Sequence, residues 1–359
     1  MRGAIILSLL ATAYATFTCM NQKNQPVDWW MVYKMPIVKD NTTAGINDGL
    51  GFYYMDAKSN GKWEPSPKTL NDKDQAIAYT LQRFYDRILD PWIFHVMYND
   101  DPYEYHDDDS YETITNRVNN GDEHTTSTKF GHTKGTIVFD KVSGFWIVHS
   151  VPRFPPPHKY AYPPSGTIYG QTMLCMTMLY PELGKIGTQL YYNRPNIYHS
   201  FLPTEMAVAY PDLAKAIAQE YSTDKSSVID LKSRGGVTFK SFAKSKYFDQ
   251  DLYDGLVAPT LKTDLTVESW RRGGLIALEC GLTYKTNDAL SIKIGNTTEF
   301  AYTKDHSKMA RSSVETKPWT CIGDVNRMTS QYLRGGGTIC VNSKPVWNAF
   351  NVVATQNSC

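Results

Sequence analysis

Two His-x-Lys triplets carry the residues best suited to chemistry in this 359-residue chain: His132-Thr133-Lys134 and His306-Ser307-Lys308. Residues two apart on a strand share a face, so each imidazole would stand beside an ammonium. A phosphodiester needs a nucleophile, cationic help for its non-bridging oxygens and an acid for the departing alkoxide. One neutral imidazole can attack phosphorus and form a phosphohistidine. A second imidazole, protonated, can hand its proton to the leaving oxygen, while Lys134 and Lys308 steady the charge. The scheme calls for no metal and no cofactor. His132 is taken as the nucleophile and His306 as the acid, an order the residues themselves do not settle.

Sliding the chain by 174 positions lays His132 on His306 and Lys134 on Lys308. Without a gap it also lays Val148 on Ile322, Val151 on Val325 and Arg153 on Arg327. This faint duplication predicts two half-sites facing each other across a pseudo-two-fold axis, forming one active site. The remaining histidines read as structural. His149 and His95 lie in apolar strand signals, whereas His106, His124, His158 and His199 lie in polar or Pro-rich surroundings expected at the surface.

Elements that could position the triplets recur along the whole length. Strand-like runs fall at 27–35, 51–55, 93–97, 136–139, 145–151, 237–242, 290–294, 319–325 and 338–341. Residues 74–89 carry apolar positions at helical spacing without Gly or Pro, 211–221 open on a helix-starting Pro, and 346–353 close the chain as a helix. Residues 152–164, rich in Pro and Tyr, read as a surface loop. Strands mixed with helices throughout define an α/β chain. The acidic run 100–112 lacks regular ligand spacing and reads as a solvated loop rather than a metal site. Lys232, Arg234, Lys240, Lys244 and Lys246, interleaved with Phe239 and Phe242, form either a phosphate-tracking stripe or a solvated strand edge. Arg334-Gly335-Gly336-Gly337 offers either backbone amides to a phosphate or a plain turn. Trp29 and Trp30 read as core.

The N-terminus has a basic residue, a short apolar run and an A-x-A site, which predicts a signal peptide over 1–18. No later stretch is long enough to span a bilayer. Six cysteines, at 19, 175, 280, 321, 340 and 359, include no C-x-x-C pair. Behind a signal peptide they suggest three disulfides rather than metal ligands, with the pairing open. Sequons at Asn41 and Asn296 fit the same compartment. The expected destination is the secretory pathway, ending in a lysosome or outside the cell. Formal net charge is +1, so the chain is no permanently cationic nucleic-acid binder.

The sequence resembles the deoxyribonuclease II family, a branch of the phospholipase D superfamily, from Cys19 to Cys359. The likeness rests on PVDWW (26–30), VYK (32–34), GHTKG (131–135), GFWIVHSVP (144–152), PPP (155–157), YGQT (169–172), SFAK (241–244) and DLY (251–253). Its most specific part is DHSK (305–308), PWTC (318–321), GDVNR (323–327) and RGGGT (334–338). The resemblance implies two phospholipase D-like α/β halves, 19–200 and 201–359, around a shared site. It places His132, Lys134, His306 and Lys308 on the family's two catalytic motifs and implies disulfides Cys19–Cys175, Cys280–Cys359 and Cys321–Cys340. Asn326 resembles the Asn that follows the motif and would bind a phosphate oxygen; the first half has Pro152 there. Arg334 is placed with it at the substrate. The superfamily's Asp five residues beyond each Lys is absent, since Phe139 and Ser313 stand there and Asp140 comes one residue late. What orients each imidazole is left open.

The implied activity is metal-independent acid endonucleolysis of DNA, leaving 3′-phosphate and 5′-hydroxyl ends. A lipid phosphodiesterase of the phospholipase D type is the rival enzyme, but no amphipathic helix for acyl chains is evident. A secreted toxin built on the same scaffold is the third reading.

Overall fold

The computed structural model describes residues 17–39, 41, 43–102 and 129–359. Most of the expected signal peptide, His106, His124 and the acidic run beyond residue 102 lie outside those residues.

A short ribbon, β1 (Cys19–Met20) with β2 (Pro26–Val27), precedes the first large sheet. That sheet contains β3 (Trp29–Lys34), β4 (Phe52–Asp56), β5 (Glu64–Pro65), β6 (Phe94–Asn99), β7 (Lys134–Phe139), β8 (Ser143–His149), β9 (Gln171–Leu179) and β10 (Ile197–Phe201). Its order is β10-β6-β7-β8-β9-β3-β4-β5. The second sheet contains β11 (Ser226–Lys232), β12 (Thr238–Lys244), β13 (Leu265–Glu268), β14 (Thr286–Ile292), β15 (Phe300–Ala301), β16 (Met309–Ser312), β17 (Trp319–Gly323), β18 (Gly336–Asn342) and β19 (Val353–Asn357). It runs β11-β12-β18-β17-β16-β13-β14-β15, with β19 also on β14. Pairing is antiparallel except between β13 and β14. The chain is thus a mixed α/β protein with large sheets and few, short helices.

Period-two alternation assigns the two faces of each strand to different layers. Trp29, Met31 and Tyr33 of β3 join Leu174 and Met176 of β9 in a central core. Ile322 of β17 and Ile339 of β18 belong to the same cluster, so the sheets meet face to face. The opposite face of β3, Trp30 and Val32, packs with Ile77, Leu81 and Phe84 of α1 (Ala76–Tyr85). Cys321 and Cys340, on the far face of the second sheet, pack with Val257 and Leu261 instead. The stretch expected as a surface loop after residue 152 is irregular but largely buried. Phe154, Tyr160 and Tyr162 dock into the outer core, their ring area outweighing the prolines' surface tendency.

Several elements escape sequence patterning. The central strand β9 is buried along nearly its whole length, but Gln171, Thr172 and Thr177 interrupt its apolar run. Helix α2 (Glu182–Asn193) contains Gly184 and Gly187, which read as breakers. In the structure they permit close packing: a Cβ at Gly187 would stand 2.6 Å from Leu213 Cβ, and one at Gly184 2.7 Å from the Tyr210 ring. The basic stripe does not form. Lys244 is fully buried, Phe239 and Phe242 are core residues, and Lys240 pairs with Asp230 at 2.5 Å across the β11–β12 ladder.

The run β6-β7-β8-β9-β3 has the same order as β13-β16-β17-β18-β12. Disulfides join Cys19 to Cys175, Cys280 to Cys359 and Cys321 to Cys340. Among the described residues, no helix is long and apolar enough to cross a membrane.

Candidate active site

Each triplet lies at the start of an inner strand. Lys134 opens β7, and Lys308 immediately precedes β16. The backbone N–H of His132 donates to the carbonyl of Gly335 at 2.9 Å, and that of His306 donates to Gly170 at 2.8 Å. Gly335 lies just before β18 and Gly170 just before β9, so each histidine is held by the loop ahead of an inner strand in the opposite sheet. These reciprocal bonds bring the triplets to one place, and the charges of His132 and Lys134 act on His306.

Glycine is required where the chains meet. Gly336 has φ +150, and a Cβ there would stand 2.3 Å from Val325. At Gly131, a Cβ would approach the Asn193 carbonyl to 2.0 Å. The Arg334–Gly337 segment is therefore a tight junction rather than a free nest of amides. Its Gly337 N–H is committed to Asp324 Oδ1 at 2.9 Å.

The loops are clamped by two buried lysines. Lys34 Nζ donates to the carbonyls of Thr167 and Tyr169. Lys244 Nζ donates to the carbonyls of Gln331, Tyr332 and Arg334 at 2.8, 2.9 and 2.6 Å. Lys34 stands opposite Gln171 and Lys244 opposite Gly336, so the clamps occupy matching places in the two ladders. Burial pushes both ammoniums down, Lys244 to about 8.

The surroundings of the imidazoles differ. His132 directs Nδ1 at the main-chain carbonyl of Asp324, while its Nε2 lies 3.5 Å from Asp100 Oδ2 and 3.5 Å from Asn326 Nδ2. A donated Nδ1–H fixes the tautomer and leaves Nε2 with the lone pair. Asp100 also pairs with Lys134, and with Arg334 Nη2 at 3.4 Å. Arg334 further donates to the carbonyls of Phe130 and Gly131 at 3.2 and 3.1 Å. Burial would raise the Asp100 carboxyl, but the charges of His132, Lys134 and Arg334 outweigh it and hold it ionised. Asp100 is thus a site residue, not part of a solvated loop.

His306 has an aromatic setting. Tyr169 stacks on it at 4.3 Å between centroids and 7°, and Trp270 meets it edge-on at 3.9 Å. Its Nε2 is buried and has no hydrogen-bond partner among the described residues. Burial, reinforced by the charges of Lys308, Lys134, His132 and Lys34, pushes this imidazole down to about 2. Lys308 Nζ donates to the His306 carbonyl at 2.5 Å, and burial lowers this ammonium to about 7. Beneath them, Tyr33 donates to Asp305, whose other oxygen accepts from Ser307 N at 2.9 Å.

The other described histidines make no hydrogen bond to the two triplets. His149 is fully buried and its Nδ1 accepts from Val151 N at 3.2 Å. His95 is buried and stacks on the half-buried His199, while His158 is exposed. Asn296 lies exposed and Asn41 is half-buried. No group of three or more His, Cys, Asp or Glu among the described residues has a metal-binding arrangement. Paired imidazoles with flanking ammoniums, one imidazole beside a carboxylate and one beneath aromatic rings, make an arrangement fit for phosphoryl transfer.

Comparison with known sequences agrees with that chemistry. The Deoxyribonuclease II family profile matches residues 18–359. Deoxyribonuclease-2 of Caenorhabditis elegans is 57% identical over 99% of this chain and 98% of its own. Plancitoxin-1 of Acanthaster planci is 36% identical over 99% and 96%, and Deoxyribonuclease-2-alpha of Mus musculus 34% identical over 98% and 95%. The chain belongs to the deoxyribonuclease II family, and is accordingly a hydrolytic nuclease.

Proposed function

We propose that the protein is an acid endodeoxyribonuclease, cutting DNA to 3′-phosphate and 5′-hydroxyl ends without a metal through a phosphohistidine. The observation that supports this reading is the reciprocal pair of bonds, His132 N–H to Gly335 and His306 N–H to Gly170, by which the two triplets lie close together. One imidazole attacks phosphorus while the other protonates the leaving oxygen, and Lys134 and Lys308 face the non-bridging oxygens. Asn326 and Arg334, beside His132, contribute to phosphate binding. Contacts of this kind carry no base information, so sequence preference is slight.

The halves, 19–200 and 201–359, act as two phospholipase D-like units. The matching strand orders and matching lysine clamps support this division. A signal peptide over 1–18 directs the chain to the secretory pathway, for lysosomal delivery or release, with glycans on Asn41 and Asn296. The three disulfides suit that route.

Acid favours the reaction for two reasons. In the unliganded protein burial pushes both imidazoles below their ordinary range, so the proton that one of them must donate is acquired only as pH falls. Lys308, lowered to about 7, is half charged at neutrality and fully charged in acid. Plasmid DNA incubated with the purified protein across pH is expected to be nicked fastest well below pH ~6.5, the ordinary imidazole value. Excess EDTA is expected to leave the rate unchanged, and His132→Ala and His306→Ala each to abolish nicking. A neutral optimum, or a chelator-dead enzyme restored by Mg²⁺, would contradict the reading.

A further inference from the structure

Ladder register identifies what replaces what between the two half-sites. Asn99 stands opposite Lys134, so Asp100 is one residue beyond that pairing. Glu268 stands opposite Met309, so continuing the ladder by one step sets Ser269 opposite Lys308 and leaves Trp270 in the place of Asp100. On the other side, Arg334 precedes Gly335 and Tyr169 precedes Gly170, the two glycines whose carbonyls hold the histidines. The same two positions around each imidazole therefore hold an ionic couple, Asp100 and Arg334, at His132. At His306 they hold an aromatic couple, Trp270 and Tyr169.

We infer that His306 is the nucleophile and His132 the general acid, and that Asp100 and Trp270 are the positioning residues that set this division. The inference rests on the two-histidine reading and reverses the order taken from sequence. A carboxylate beside an imidazole stabilises its cation, whereas rings that exclude water disfavour it. Burial lowers His132 as well, but there the Asp100 carboxylate opposes it, against Lys134, Arg334 and Lys308. At His306 burial is reinforced instead by the charges of Lys308, Lys134, His132 and Lys34, and among the described residues Nε2 has no hydrogen-bond partner. A nucleophile working in acid must keep its lone pair, which is the property His306 has.

The steps balance. The Nε2 lone pair of His306 forms the N–P bond, the P–O5′ bond breaks, and the His132 proton passes to the departing oxygen. His132, now neutral, takes a proton from water as that water attacks phosphorus. The N–P bond breaks, releasing the 3′-phosphate with both histidines restored.

An oligonucleotide with sulfur in place of one bridging 5′-oxygen, radiolabelled at that phosphate, separates the roles, because a thiolate leaves without a proton. His132→Ala should release a single equivalent of thiol and stall with the label on His306, since the base for the second step is missing. On ordinary DNA the same variant should not turn over, its first step alone being slowed roughly 10²–10⁴-fold. His306→Ala should give no burst on either substrate. Trp270→Asp should lower the ratio of the rate at pH 5 to that at pH 7 by about tenfold, while Trp270→Phe keeps the wild-type profile. Label on His132 with a burst from His306→Ala would overturn the assignment and leave the two-histidine reading standing. No alkali-stable phosphoenzyme from either variant, with the thiolate substrate still turned over, would overturn both. An unchanged pH profile in folded Trp270→Asp would remove Trp270 from the division of roles.

Discussion

At the residue scale, a lysine held near neutrality is as informative as the histidines. Lys308 is almost wholly buried, with its ammonium lowered to about 7, so its charge is unreliable at neutral pH and secure in acid. Lys308→Met is expected to cost roughly 10²–10³-fold in turnover, the range for a lost transition-state charge donor. The deficit should be larger at pH 5 than at pH 8, where the wild-type amine is itself mostly neutral. Equal deficits at both pH values in steady-state assays would show that Lys308 acts through packing. The two triplets were legible in the sequence because a residue type and a spacing repeat there. Asp100 was hidden because it opens a run of carboxylates that looks solvated. Tyr169 and Trp270 were hidden because aromatic residues in such a chain read as core, and nothing local says that their neighbour is an imidazole.

At the scale of elements, the inner strands deliver the histidines, but the buried lysine clamps fix the loops that hold them. Lys244 reaches three carbonyls of the loop that carries Arg334, and Lys34 reaches two before β9. Lys244→Met would leave those three carbonyls without their donor. The expected cost is about 3 kcal/mol, the upper range for hydrogen bonds to a charged group. Denaturant unfolding measures the loss, and catalysis should fall with it because Gly335 holds His132. Stability reduced with full activity retained would show that the loop keeps its place unaided. The disulfide Cys321–Cys340 closes the same region, tying β17 to β18 around Asn326 and Arg334. Strands β3, β4, β6, β7 and β8 were readable as apolar runs although both faces are buried. β9 was not, because Gln171, Thr172 and Thr177 interrupt its apolar run, and α2 was not, because its glycines serve packing against Leu213 and Tyr210 rather than chain breaking.

At the scale of the whole molecule, acid acts on the fold through two opposed sets of buried groups. Burial raises Asp251 to about 6 and Asp324 to about 7. The folded chain therefore takes up protons that the unfolded chain refuses, and these groups favour the fold as pH falls from neutrality. Burial lowers His95 and His149 to about 3, so the unfolded chain takes the proton first and the fold loses stability below the ordinary imidazole value of 6.5. Opposed contributions of this kind let a protein rich in buried titratable groups stay folded in acid. His149 allows the balance to be measured, since it is fully buried and its bond to Val151 N can be kept by a glutamine oxygen. Between pH 6.5 and 5 the wild-type imidazole costs up to about 2 kcal/mol, from about 1.4 kcal/mol for each pH unit. His149→Gln has no such group, so the change in its unfolding free energy from pH 7 to pH 5 should be more favourable than the wild-type change by that amount. Guanidinium unfolding of both proteins at the two pH values, with disulfides intact, makes the comparison. Parallel pH dependences would mean that His149 protonates in the folded state as readily as in the unfolded one, and that acid tolerance does not arise from this opposition.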